Sequence, residues 1–107
     1  NREAIRLFHD IGITVVGDFI VSHDYTQDDF NALEDFILEN SVDLPMLTVL
    51  TPLPGTDLYR RMKNDIFITD LDYYTLTNAV VPTKMDEEEF YSRFSRMISS
   101  FHANGKV

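Results

Sequence analysis

Ile13-Thr-Val-Val-Gly-Asp-Phe-Ile-Val21 and Pro45-Met-Leu-Thr-Val-Leu-Thr51 decide the fold. Both stretches are rich in β-branched and apolar residues, the composition of buried strands. Between them, Thr26-Gln-Asp-Asp29 is a capping-box pattern with Asp where Glu is usual. Phe30, Leu33, Phe36 and Ile37 follow at helical spacing, which predicts an amphipathic helix to about Asn40. Strand, helix, strand in that order predicts a parallel βαβ unit.

Outward from this unit, residues 1–10 place Ile5, Leu7 and Phe8 near helical spacing, and Gly12 ends that helix. On the other side, Pro52-Leu-Pro-Gly55 stops the second strand in a rigid turn, and Thr56 caps a short helix to about Lys63. Ile66-Phe-Ile68 reads as a short strand, and Tyr73 to Val81 is a stretch of β-formers ending at Pro82. A last helix begins near Asp86, with Glu87, Glu88 and Glu89 in its first turn where the macrodipole favours acids. Its stripe is Phe90, Phe94, Met97, Ile98 and Phe101. The fold class expected is α/β, parallel strands alternating with helices. Two or three strands do not cover a parallel sheet. This, with an abrupt start at Asn1, predicts a piece of a longer polypeptide or a chain that pairs its open edge with another copy.

The 107 residues carry a formal charge of −9 and no cysteine. Leu7 to Tyr59 contains no Lys or Arg but ten carboxylates, the opposite of the clustered cations that a nucleic-acid interface needs. Without cysteine, disulfide stapling and thiolate ligation or catalysis are excluded for this segment, and a cytoplasmic location is expected. No apolar run approaches the ~18 residues of a membrane span.

Strand alternation sorts the chemistry. Ile13, Val15, Gly17, Phe19 and Val21 share one face, expected under the helices. Thr14, Val16, Asp18, Ile20 and Ser22 share the other, where Asp18 either lines a cavity or sits at a frayed strand end capping an amide. Both strands end in unusual residues on one edge, Ser22-His-Asp-Tyr25 and Thr51-Pro-Leu-Pro-Gly-Thr56, and βα folds place ligands at such ends. A tight βα connection is the plainer reading of the Pro-Gly turn. His9 and His102 lie near helix C-termini, which suits the dipole. His23, beside Asp24, is the histidine nearest a plausible site. Met46, Met62, Met85 and Met97 share no spacing and read as packing.

Gly17-Asp-Phe-Ile-Val-Ser22, followed by Thr26, and then Thr51-Pro-Leu-Pro-Gly-Thr-Asp-Leu-Tyr59 resemble the C-terminal half of the radical-SAM core domain. They look most like the subgroup often found with a cobalamin-binding domain, which includes hopanoid methylases. The resemblance runs from about Ala4 to Tyr59 and more loosely to Phe101. It implies a partial (β/α) TIM-type barrel over residues 1–107. In the parent enzyme, an oxidoreductase or methyltransferase, it implies a [4Fe-4S] cluster, S-adenosylmethionine and, for this subgroup, cobalamin. The family's adenine motif, Gly-x-Ile-x-Gly-x-x-Glu, keeps only Ile20 here, with Asp18, Ser22 and Tyr25 at its other positions. The family's Cys-x-x-x-Cys-x-x-Cys loop has no counterpart in this chain.

The resemblance implies an S-adenosylmethionine surface at Ile20, Val21, Ser22, Thr51 and Pro52. A substrate wall is expected at Asp18, Thr48, Tyr74 and Asn78, within the polar-aromatic stretch Tyr73, Tyr74, Thr75, Thr77 and Asn78 for the last two. No residue is assigned to catalysis or to metal. The partners expected are the remainder of the barrel and a small-molecule or lipid-like substrate, with a homodimer open to the isolated chain. A free-standing α/β interaction module and a piece of an unrelated βα barrel are the competing readings.

Overall fold

A computed structural model describes residues 1–103, apart from the side chains of His102 and Ala103. Six elements follow one another: α1 (Arg2–Asp10), β1 (Val16–Val21), α2 (Gln27–Glu39), β2 (Leu44–Val49), α3 (Asp57–Met62) and α4 (Glu87–Ala103). The architecture is mixed α/β around a two-stranded parallel sheet, in which Val16 pairs with Leu44 and Val21 with Val49. Short 3₁₀ turns occupy Lys63–Asp65 and Leu71–Tyr73.

Local chemistry accounts for the helix boundaries. The Asp29 carboxylate accepts from the Thr26 backbone N–H at 2.8 Å and from its hydroxyl at 3.0 Å, which starts α2. Thr56 Oγ1 accepts from the Tyr59 N–H at 3.1 Å and starts α3. Asp86 Oδ2 accepts from the Glu89 N–H at the start of α4.

The core lies on one side of the sheet. Val21 and Val49 from the strands meet Phe30 and Ile37 of α2 and Phe90, Phe94, Met97 and Phe101 of α4. Phe30 and Phe90 meet edge to face with centroids 5.5 Å apart, a geometry that adds to the area they bury. Gly17 lets Phe19 and Val42 close over it: a Cβ there would lie 2.8 Å from the Phe19 ring and 3.0 Å from Val42. Among the described residues, the other side of the sheet is largely uncovered. Val16, Ile20 and Met46 are 57%, 58% and 48% exposed. Met46 is therefore a surface residue of that bare face, unlike the fully buried Met97.

Three expectations are corrected. Pairing begins at Val16 rather than Ile13, because the partner strand starts only at Leu44, whose N–H reaches the Val15 carbonyl. It ends at Val49 rather than Thr51, where the Thr51 hydroxyl turns back onto the Val49 carbonyl and Pro52 has no N–H to offer. Residues 66–68 and 73–81 form no strand. Phe67 and Ile68 share the Val80 carbonyl, and Leu76 takes a left-handed φ of 67° that interrupts the extended chain.

Candidate functional site

Parallel pairing brings Val21 and Val49 side by side, so the chain leaves both strands at one edge, with Ser22 and Thr51 just beyond. Asp18, Ile20 and Thr48 lie on the bare face below that edge, with Thr48 in register with Ile20 and Met46 with Asp18. Asp18 also borders a groove of about 240 Å³ between α1 and β1, together with Ile5, Phe8, Val16 and Phe36. Val21 belongs to the opposite face, fully buried, and Pro52 is equally enclosed. Those two offer backbone, not side chain, to anything bound at the edge. Thr51 is 8% exposed and its hydroxyl already donates to Val49 at 3.0 Å. Of the five residues expected to form the cofactor surface, Ile20 presents the largest free side chain.

The turn after Thr51 is rigid by composition. Gly55 takes φ 92°, which a side chain would resist, and Pro54 fixes the residue before it. The Leu53 carbonyl accepts from both the N–H and the hydroxyl of Thr56.

Tyr74 and Asn78 reach the same region through one backbone contact. The Val49 N–H donates to the Leu76 carbonyl at 2.7 Å, on the edge of β2 away from β1. Around Leu76, the Thr75 hydroxyl contacts the Thr77 hydroxyl at 2.7 Å and donates to Asn78 Oδ1 at 3.0 Å. Tyr74 donates to the Ile68 carbonyl at 2.9 Å, and burial pushes its phenol above the ordinary tyrosine value, with Tyr59 adding to the shift. The next amide, Ala79 N–H, donates to the Tyr91 hydroxyl of α4 at 2.7 Å. Sequence reasoning did not single out Leu76 or Tyr91. A tyrosine beside the apolar stripe of α4 was the available signal, since a part-buried phenol needs a partner.

The histidines separate. His9 Nε2 contacts the Asp43 carboxylate at 2.8 Å, and the same carboxylate oxygen accepts from the Val15 N–H at 2.7 Å, which ties α1 to the start of β1. The His23 carbonyl accepts from the Lys84 N–H, while its Nδ1 is buried without a hydrogen-bond partner. The side chain of His102 lies outside the described residues. Nearby, burial and the Asp29 and Asp24 carboxylates push the Tyr25 phenol up. Among the described residues, no group of three or more His, Asp or Glu is placed to hold a metal ion, and no helix is long and apolar enough to cross a membrane.

Over 100 residues, 91% of its length, the chain is 32% identical to bacteriochlorophyllide d C-12(1)-methyltransferase of Chlorobaculum tepidum. Over 59 residues, 54% of its length, it is 36% identical to a Methanocaldococcus jannaschii protein provisionally named a methylthiotransferase. Both relatives are named as group transferases. The matches span 22% and 13% of the relatives, so the chain accounts for less than a quarter of either. No family model matches the chain, and no solved structure does.

Proposed function

We propose that residues 1–107 are the C-terminal portion of the barrel of a radical-SAM enzyme that transfers a methyl or methylthio group. The observation that carries this reading is the parallel, in-register pairing of Val21 with Val49, which opens two neighbouring strands onto one edge. The bare sheet face supports it. An apolar surface at Val16, Ile20 and Met46, about half exposed, is suited to facing the interior of a closed barrel. The similarity to two named transferases supports the reaction class.

The residues fit the implied cofactors unequally. A chain without cysteine does not hold a [4Fe-4S] cluster, so the cluster would be held elsewhere in the enzyme. Ile20 fits an adenine: a branched apolar side chain, 58% exposed, in register with Thr48 and one rung below the edge where both strands end. Cobalamin finds no dedicated residue here and would belong to another domain. Bound S-adenosylmethionine supplies the radical or methyl chemistry. This segment binds and orients: Ile20 packs the base, Asp18 and Thr48 hydrogen-bond substrate, Tyr74 and Asn78 wall the chamber, and the apolar face excludes water. The substrate is a small or lipid-like molecule and the enzyme is cytoplasmic.

The test uses the complete polypeptide. The coding sequence ahead of Asn1 should contain a Cys-x-x-x-Cys-x-x-Cys loop, and anaerobic reconstitution should give iron–sulfur absorbance with cleavage of S-adenosylmethionine. A complete polypeptide with neither ends the proposal. Residues 1–107 alone should take up no cluster. The exposed face, and an outer edge of β1 without a strand partner among the described residues, favour one other reading, a module that pairs with itself. Concentration-dependent dimers by size exclusion from a gene without the cysteine loop would establish that alternative.

A further inference from the structure

We propose that Thr75–Asn78 is a recognition turn for an uncharged polar group of the substrate, and that Leu76 and Tyr91 are its positioning residues. This rests on the reading of the strand tips as a cofactor and substrate edge, and adds the chemistry of what is recognised.

Three observations converge. Leu76 holds φ 67°, a left-handed conformation unfavourable for a residue with a Cβ, which persists only where surroundings impose it. The surroundings are visible: the Leu76 carbonyl is fixed by the Val49 N–H at 2.7 Å, and the Ala79 N–H by Tyr91 Oη at 2.7 Å. The turn is thus clamped from the tip of β2 on one side and from α4 on the other. Around the clamped turn, two hydroxyls and a carboxamide bond mainly to each other. Thr75 and Thr77 are exposed, and the Asn78 amide nitrogen makes only a long 3.4 Å contact to the Ala79 carbonyl. Such a group has donors and acceptors to spare.

Its charge selects the ligand. From Asn64 to Thr83 there is no Lys or Arg, while Asp65, Asp70 and Asp72 precede the turn. A phosphate would meet no cation and would feel those carboxylates. A carboxamide, hydroxyl or ketone would be satisfied by Asn78 and the threonines.

Equilibrium dialysis of the complete polypeptide with radiolabelled decanamide, decyl phosphate and S-adenosylmethionine tests this. The wild type should prefer decanamide to decyl phosphate by roughly tenfold, and Asn78→Ala and Thr77→Val should each erase most of that preference. Tyr91→Phe should lower it severalfold while leaving S-adenosylmethionine binding intact. A Tyr91 that serves the fold alone would weaken all three ligands together, and circular dichroism identifies a variant that fails to fold; the exposed Thr77 variant then carries the test. Normal S-adenosylmethionine binding with no headgroup preference overturns the recognition turn and leaves the enzyme reading standing. Loss of S-adenosylmethionine binding by the wild type overturns both.

Discussion

Arg93 of α4 donates to the Glu34 carboxylate of α2 at 2.6 Å from a side chain only 9% exposed. The same guanidinium nitrogen donates to Asn31 Oδ1 at 3.0 Å, and the group lies 5.7 Å from the centroid of Phe30. These contacts fix how the C-terminal helix lies on the βαβ unit. Arg93→Ala leaves Glu34 without its cation and removes packing over Phe30. Because Glu34 is 27% exposed and partly solvated, the expected loss is about 2 kcal/mol, below that of a fully buried pair. Arg93→Met, which restores the stem, should lose about half as much. Urea denaturation of both variants measures the difference.

Gly17 is the second sensitive position. Gly17→Ala places a methyl 2.8 Å from the Phe19 ring, which packs edge to face on Phe36 at 6.1 Å, and 3.0 Å from the buried Val42. The buried Val42 has to shift to admit the methyl, and the part-buried Phe19 ring has to turn toward the groove it borders. A destabilisation of about 1–3 kcal/mol is expected, read as a lower thermal midpoint by circular dichroism.

Asp29 makes a pH-dependent contribution. The Thr26 backbone N–H first, then the Thr26 hydroxyl, with a smaller attraction from Lys84, hold its carboxyl below the ordinary aspartate value. A depressed folded value means that the stabilisation is complete above the unfolded value, near pH 4, and is lost as pH falls through the folded one. The start of α2 should fray on acidification below about pH 4, and Asp29→Asn should flatten that dependence. Amide chemical shifts of Gln27–Phe30 across pH 2–6 decide it.

Ile20 separates binding from folding. It is 58% exposed, so Ile20→Ala should change stability by under about 0.5 kcal/mol. In the complete polypeptide the same change should weaken S-adenosylmethionine binding roughly tenfold, the value of a lost apolar contact with the base. Equal binding by wild type and variant would remove Ile20 from the cofactor surface.

The βαβ unit was legible because three independent signals agreed: β-branched runs, a capping pattern at Thr26–Asp29, and helical spacing at Phe30, Leu33 and Ile37. The stripe on α4 was legible for the same reason, since a long period-3.6 pattern leaves few alternatives. Residues 66–81 were not. Their β-formers satisfy local propensity, but strand pairing depends on a partner edge, and among the described residues their backbone meets a strand at one hydrogen bond, Val49 N–H to the Leu76 carbonyl. At the candidate site, alternation along β1 predicted which side chains stay free. It could not show that the Thr51 hydroxyl is spent on Val49 or that Tyr91 clamps Ala79, because both depend on contacts between the ends of separate elements.

Every rung of the sheet joins residues 28 positions apart, from Val16 with Leu44 to Val21 with Val49. Closing the first rung therefore meets nearly the whole entropic penalty of the intervening loop, and the remaining rungs follow as a zipper. No rung can form early as a local hairpin would, so nucleation waits until α2 has shortened the path between its ends. The ladder should accordingly assemble and open as one kinetic unit, with hydrogen-exchange protection shared along its length rather than graded from end to end.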